Sequence, residues 1–197
     1  MSLTNPYGDL EVTDPRAMRA LAHPVRLAIL SRLNREGPST ATRLAPDVGA
    51  TPSVTSWHLR HLASFGLVRD ATLGADGRER WWESAARGFR FAAPEDPADA
   101  EGAAAYRALS EQMFLQADAL PRRWFADVEP GLPARWRRLG GLANTRVVVS
   151  ASELEAIEKG IEAVLAPYVR RGDDDATRGS RSVRILRYVL PDRAGSR

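Results

Sequence analysis

Residues 51–65 read TPSVTSWHLRHLASF and run directly into Gly66-Leu67-Val68. The spacing predicts a short helix. Val54, His58, Leu59, Leu62 and Phe65 recur at helical intervals and are expected to face inward. Ser53, Thr55, Ser56, Trp57, Arg60 and His61 fall on the other side. That outer face combines small hydroxyls, an arginine and an aromatic ring, and it carries no carboxylate. An anionic groove accepts such a surface. Thr51 or Ser53 is the expected N-cap, Pro52 suits the first turn, and Gly66 stands where a left-handed residue stops a helix.

The flanking sequence extends this reading. Ser39-Thr40-Ala41-Thr42-Arg43-Leu44-Ala45 looks like a second helix start with a hydroxyl cap, and Pro46-Asp47-Val48-Gly49-Ala50 like the turn between the two helices. Two short helices joined by a tight turn, the second with a groove-ready face, make a helix-turn-helix. Asp14-Pro15 opens an earlier helix. Leu21 to Leu33 is apolar at helical spacing, with His23-Pro24 marking a junction and His23 structural. Downstream, Leu67–Asp70 and Arg80–Glu83 can pair as strands around Gly74-Ala75-Asp76-Gly77-Arg78. The tip, with Arg78 and Arg80, would be a basic wing. Trp81 and Trp82 alternate across the strand, so one indole should pack on the core. Residues 1–12 are expected to be a loose arm and residues 13–92 the winged helix-turn-helix unit, ending at the proline-containing stretch 92–99.

Three ordered segments carry a resemblance: residues 21–30 (LAHPVRLAIL), 56–62 (SWHLRHL) and Gly66-Leu67-Val68. Together they resemble the ArsR/SmtB-type winged-helix transcriptional regulators over residues 13 to 92. The resemblance implies a homodimer on a pseudo-palindromic operator, usually acting as a repressor, with the helix of Ser53–His61 in the major groove. Many metal sensors of that family place cysteines on the first helix of the helix-turn-helix. This chain has no cysteine. Thiolate metal sensing, persulfide sensing and disulfide switching are therefore excluded. A second family metal site uses histidine on a C-terminal helix, and no histidine follows His61.

Composition narrows the remaining classes. There are 28 basic residues, of which Lys159 is the only lysine, and the net charge is +3. So arginine-biased a chain makes arginine count alone poor evidence for nucleic-acid binding. Residues 1–92 hold 12 arginines against 9 acids, a small surplus placed where a DNA reader needs it. His58 and His61 stand at a chelating spacing but have no third ligand nearby in sequence, so no metal and no cofactor is expected. No paired nucleophile and base, and no phosphate-binding glycine loop, suggests an enzyme. There is no signal peptide and no long apolar run, so a cytoplasmic protein without membrane association is expected.

The second half, 100–197, is read as a dimerisation or effector region of helices and a small β element. The whole chain is thus α+β, with a mainly helical winged unit first. A long helix is expected at 100–127, with Pro121 kinking or splitting it. Residues 129–133 form a turn, and Arg135–Arg138 is a surface amphipathic turn. Arg146–Val149 is a short strand and Val183–Leu190 a clear β run. Between them, a helix capped at Ser150 or Ser152 carries Leu154, Ile157, Ile161, Val164, Leu165 and Tyr168 on one face. Glu155, Glu158, Lys159 and Glu162 lie on the other. Asp173–Asp175 is a solvated loop. Dimerisation is expected through the first helix and the helix near 100–127. Phe114, Trp124, Phe125, Trp136 and Tyr168 could line a pocket for a small-molecule effector, or could instead form the core of a dimerisation module.

The expected DNA-contacting set is Ser39, Thr40, Thr51, Ser53, Thr55, Ser56, Trp57, Arg60, His61, Arg78 and Arg80. Arg60 would neutralise a phosphate or fork onto a guanine edge. The expected partner is double-stranded DNA carrying an inverted-repeat operator. The competing reading is a winged-helix module that binds proteins and not DNA.

Overall fold

The computed structural model describes residues 8–72, 79–169 and 177–192. The wing tip with Arg78, residues 1–7 of the arm and the Asp173–Asp175 loop lie outside these. The mixed helix and sheet architecture follows the expected class. In chain order the elements are β1 (Leu10–Glu11), α1 (Pro15–Leu21), α2 (Pro24–Glu36), β2 (Ser39–Thr40), α3 (Ala41–Asp47) and α4 (Pro52–Ser64). There follow β3 (Val68–Asp70), β4 (Trp81–Ser84), β5 (Phe89–Arg90), α5 (Ala100–Arg123), α6 (Ala134–Leu139) and α7 (Ala151–Val169).

Local chemistry sets most boundaries of the first half. Asp14 caps α1 ahead of Pro15, and His23 caps α2 ahead of Pro24 through its Nδ1, which accepts from Val25 N–H at 3.2 Å. The apolar run from Leu21 to Leu33 is therefore two helices with a break, because a proline belongs in a first turn and not in a helix interior. Two small sheets complete the unit. β4 is central, antiparallel to both β2 and β3, with Ser39 opposite Trp82 and Asp70 opposite Trp82 on its other side. β1 runs parallel to β5.

β1 corrects the expectation of a loose arm. Leu10 N–H and Val12 N–H donate to Gly88 and Arg90 carbonyls, and both side chains join the core. That core is Met18, Leu21, Ile29, Leu33, Leu44, Leu59, Leu62 and Trp82, closed by Ala105 and Leu109 of α5. The first half of α5 thus belongs to the winged unit and packs on α1 of the same chain.

Beyond α5 the chain continues through a π turn (Trp124–Val128) and a 3-10 turn (Glu129–Gly131) into α6. The two β runs are not strands. Residues 142–149 and 180–192 form no ladder. Both are apolar and β-branched, but a strand needs a paired edge, and among the described residues neither run is paired in a ladder. α7 forms as expected, with Ser150 and Glu153 exchanging hydrogen bonds in a capping box (2.7 Å and 3.3 Å).

Candidate nucleic-acid interface

The turn between α3 and α4 is built by backbone geometry. Gly49 sits at φ +65°, Ala50 N–H donates to Ala45 C=O at 3.0 Å, and Gly49 N–H donates to Pro46 C=O at 3.4 Å. This is a Schellman closure. Pro46 and Asp47 therefore finish α3, leaving a turn of Val48, Gly49 and Ala50. Thr51 then caps α4, its Oγ1 accepting from Val54 N–H at 3.3 Å. α4 ends in a second Schellman closure at Gly66 (φ +68°), with Gly66 N–H on Ala63 C=O and Leu67 N–H on Leu62 C=O. Arg32 fixes α2 to α3 through Asp47 at 2.8 Å.

This framework presents one face of α4 to solvent. Ser53 and Arg60 are exposed, Trp57 is 55% exposed, and Ser56 and His61 are half-buried. Trp57 lies flat on the His61 ring, with centroids 5.5 Å apart and planes within 5°. Ser56 and Arg60 meet Thr42 of α3 and Arg80 of the wing around an open depression, with Glu79 at its edge. The sequence-derived set is thus brought together in large part. Thr51 is exposed at the helix start but spends its hydroxyl on the cap.

Three expected contacts are withdrawn. Ser39 and Thr40 are buried in β2 against β4, and Thr40 caps α3 by accepting from Arg43 N–H at 3.4 Å. Thr55 is fully buried, and its hydroxyl donates to Thr51 C=O at 2.9 Å. Conversely, Val54 is 45% exposed where an inward position was expected. The rest of the helix keeps its expected orientation, with His58, Leu59 and Leu62 buried; only Val54 and Thr55 exchange places. Thr42 and Val54 are the surface residues that the sequence reading missed. Val54 carried a signal, since it lies three residues before Trp57 and so shares its face.

Arg80 is present but committed. Its Nη2 lies 2.8 Å from Asp70 Oδ2, its Nε also donates to Asp70, and its guanidinium lies 4.0 Å from the Trp82 ring centroid. The hydrogen bonds from Arg80 hold the Asp70 carboxyl below the usual carboxylate range. Arg43 stacks similarly over Trp81, at 4.7 Å. Trp82 is the indole on the core.

Behind the exposed face lies a cluster of the three histidines with Arg26. All three histidines converge there: the His23 and His58 rings are 4.7 Å apart, and His61 follows one turn on. Arg26 is only 9% exposed and His58 only 5%. Arg26 Nε and His58 Nδ1 are buried with no hydrogen-bond partner. Burial, then the charge of Arg26, holds His23 and His61 below the ordinary imidazole range. His58 is lowered by burial, then by His23, Arg26 and His61. Among the described residues no group of three or more possible ligands is arranged for a metal ion.

The expected effector-pocket residues are dispersed. Phe114 meets Tyr188, Trp124 meets Phe125, Trp136 lies under Arg181, and Tyr168 stands exposed on α7. They do not line a shared cavity. The physical reason is that α5, α6 and α7 do not close around one another.

Residues 21–71 match a protein family described as a helix-turn-helix domain. The chain carries a helix-turn-helix, α3 and α4, followed by the β3–β4 pair. No curated protein matches the chain. Among solved structures it is similar to NMB1585, a MarR family regulator from Neisseria meningitidis. The identity is 17%, the coverage is 73% of this chain and 79% of that one, and the TM-score is 0.31. It is also similar to a mutant of ZitR from Lactococcus lactis, at 14% identity, 76% and 73% coverage and a TM-score of 0.26. No helix among the described residues is long and apolar enough to cross a membrane.

Proposed function

We propose that the protein is a sequence-specific transcriptional repressor of the ArsR/SmtB type that binds an inverted-repeat operator as a homodimer and is not switched by metal or thiols. The observation that carries the DNA reading is the exposed face of α4, with Ser53, Val54, Trp57 and Arg60 and no carboxylate, beside the wing. In the major groove, Arg60 forks onto a guanine edge or neutralises a phosphate, and Val54 meets a thymine methyl. Ser53 and Ser56 donate to backbone phosphates, which set register. His61 supports the Trp57 ring, and Arg80 and Arg78 accompany the wing.

The test is selection of bound sequences from a random duplex pool. The expected result is an enriched inverted repeat with half-sites about one helical turn apart. A second reading has one observation in its favour: Arg80 is neutralised by Asp70, as a protein-binding wing would allow. Failure to enrich any sequence would select that reading.

A further inference from the structure

The winged unit covers its large apolar side chains with one exception. Among the described residues before Met113, the exposed ones are Val54 and Trp57 alone. Single apolar residues scattered over a surface are ordinary. These two are not scattered. They stand three residues apart on one face of α4, the spacing at which helical side chains meet.

Trp57 is held in place as well as exposed. Its ring lies flat on His61 and edge-on to His58, the latter with centroids 4.9 Å apart and planes at 73°. His61 meets Phe65 edge-on at 5.3 Å, and Phe65 packs against the core. His58 is itself buried and rests against His23. The indole is therefore propped by rings rooted in the unit, and α4 presents it in one orientation. A side chain fixed before binding gives up little freedom on contact. Two residues are too few for a protein partner, whose interface takes about 20–30 residues a side. Their exposed neighbours Ser53 and Arg60 are polar and cationic, which suits an anionic duplex. In the major groove the apolar group that a base edge presents is the C5-methyl of thymine.

We propose that Trp57 is the specificity-determining residue of α4, forming with Val54 an apolar clasp over the C5-methyl groups of two adjacent thymines on one strand. The clasp presupposes the DNA-binding reading and names what α4 takes from the groove. A methyl under Val54 alone would leave the propped indole without a role. Three residues advance a helix by about 4.5 Å, and successive nucleotides of one strand lie about 3.4 Å apart along the duplex, so neighbouring methyls match the pair. Ser56 and Arg60 border the depression shared with Thr42 and Arg80, which places hydroxyl and guanidinium groups beside the clasp for backbone phosphates.

The test alters the DNA and leaves the protein intact. A duplex enriched by the full chain is rebuilt with deoxyuridine in place of each thymidine in turn. Each exchange removes one methyl and keeps every hydrogen-bonding group of the base edge. Binding is read by fluorescence anisotropy for the wild type and for Val54→Ala, Trp57→Ala and Arg60→Ala. The expected loss is about fourfold at each of two adjacent positions, the worth of one buried methyl-sized group. Trp57→Ala should abolish the loss at one position and Val54→Ala at the other, while Arg60→Ala keeps both. Val54 and Trp57 are exposed, so their variants should keep the wild-type circular dichroism. An enriched site without adjacent thymines, equal binding with uracil at every position, or a loss that persists in Trp57→Ala overturns the clasp and leaves DNA binding standing. A pool from which no sequence enriches overturns the DNA reading, and the clasp with it.

Discussion

His58 and Arg26 set the residue-scale behaviour of the DNA-binding unit. The charges acting on His58 are His23, Arg26 and His61, with no carboxylate among them. A proton added to the cluster therefore meets burial and repulsion. The folded state holds these rings neutral below their ordinary value of about 6.5, so the unfolded chain binds protons first on acidification. Stability is then full above that value and falls as pH drops below it, until the lowered folded values are reached. The melting temperature should be flat above about pH 7 and should decline as pH falls below about 6.5, less steeply in His58→Gln. A wild-type melting curve indifferent to this range would show that the rings titrate freely. Arg60 acts on binding instead. It is exposed, so Arg60→Ala should leave the melting temperature unchanged. The variant should lower the slope of log affinity against log salt by about 1 if the contact is to phosphate, or cost about 1–3 kcal/mol and relax one operator position if it is to guanine. Wild-type affinity in Arg60→Ala would mean that α4 does not dock by this face.

At the scale of elements, the first half is governed by caps and the second by missing partners. α4 begins on one side-chain bond, from Thr51 Oγ1 to Val54 N–H. Thr51→Ala should destabilise the protein by about 1 kcal/mol, measured by chemical denaturation, while Thr51→Ser should restore it. No loss would mean that the cap is satisfied by solvent. These caps were legible in the sequence because each acts within five residues of its own position. The exchange of Val54 and Thr55 in the first turn of α4 was not legible. Val54 and Thr55 are adjacent, and periodicity alone assigned the apolar one inward. Packing on α1, α2 and α3 buries Thr55 instead, which is tolerable because its hydroxyl satisfies itself on Thr51 C=O. The β runs failed for the complementary reason. Val183–Leu190 has strand-forming residues, but ladder formation is a property of two segments in register, and the Arg146–Asp192 ion pair brings the two runs together without a ladder.

At the scale of the molecule, the net charge of +3 on 197 residues gives little long-range attraction for DNA. Affinity must come from local contacts counted twice in a dimer. Operator binding should therefore weaken linearly in log–log terms with salt, each neutralised phosphate contributing about 0.9 to the slope. Removing a single phosphate contact, as in Arg60→Ala, should lower the slope by about 0.9 in fluorescence anisotropy. An identical slope in the two proteins would mean that Arg60 touches no phosphate.

The sequence by itself determined where the helices of the winged unit begin and end, that a turn joins α3 to α4, that Gly66 stops α4, and that thiol chemistry is absent. All of these follow from single residues acting on their own neighbourhood. Tertiary structure alone decided which hydroxyls face solvent, that the N-terminal segment is a strand beside β5, that α5 completes the core of the winged unit, and that α7 pairs Glu162 with Arg90. These depend on which surfaces meet. An amphipathic helix has two ways to lie on a neighbour, and its own pattern does not say which of them the rest of the chain selects.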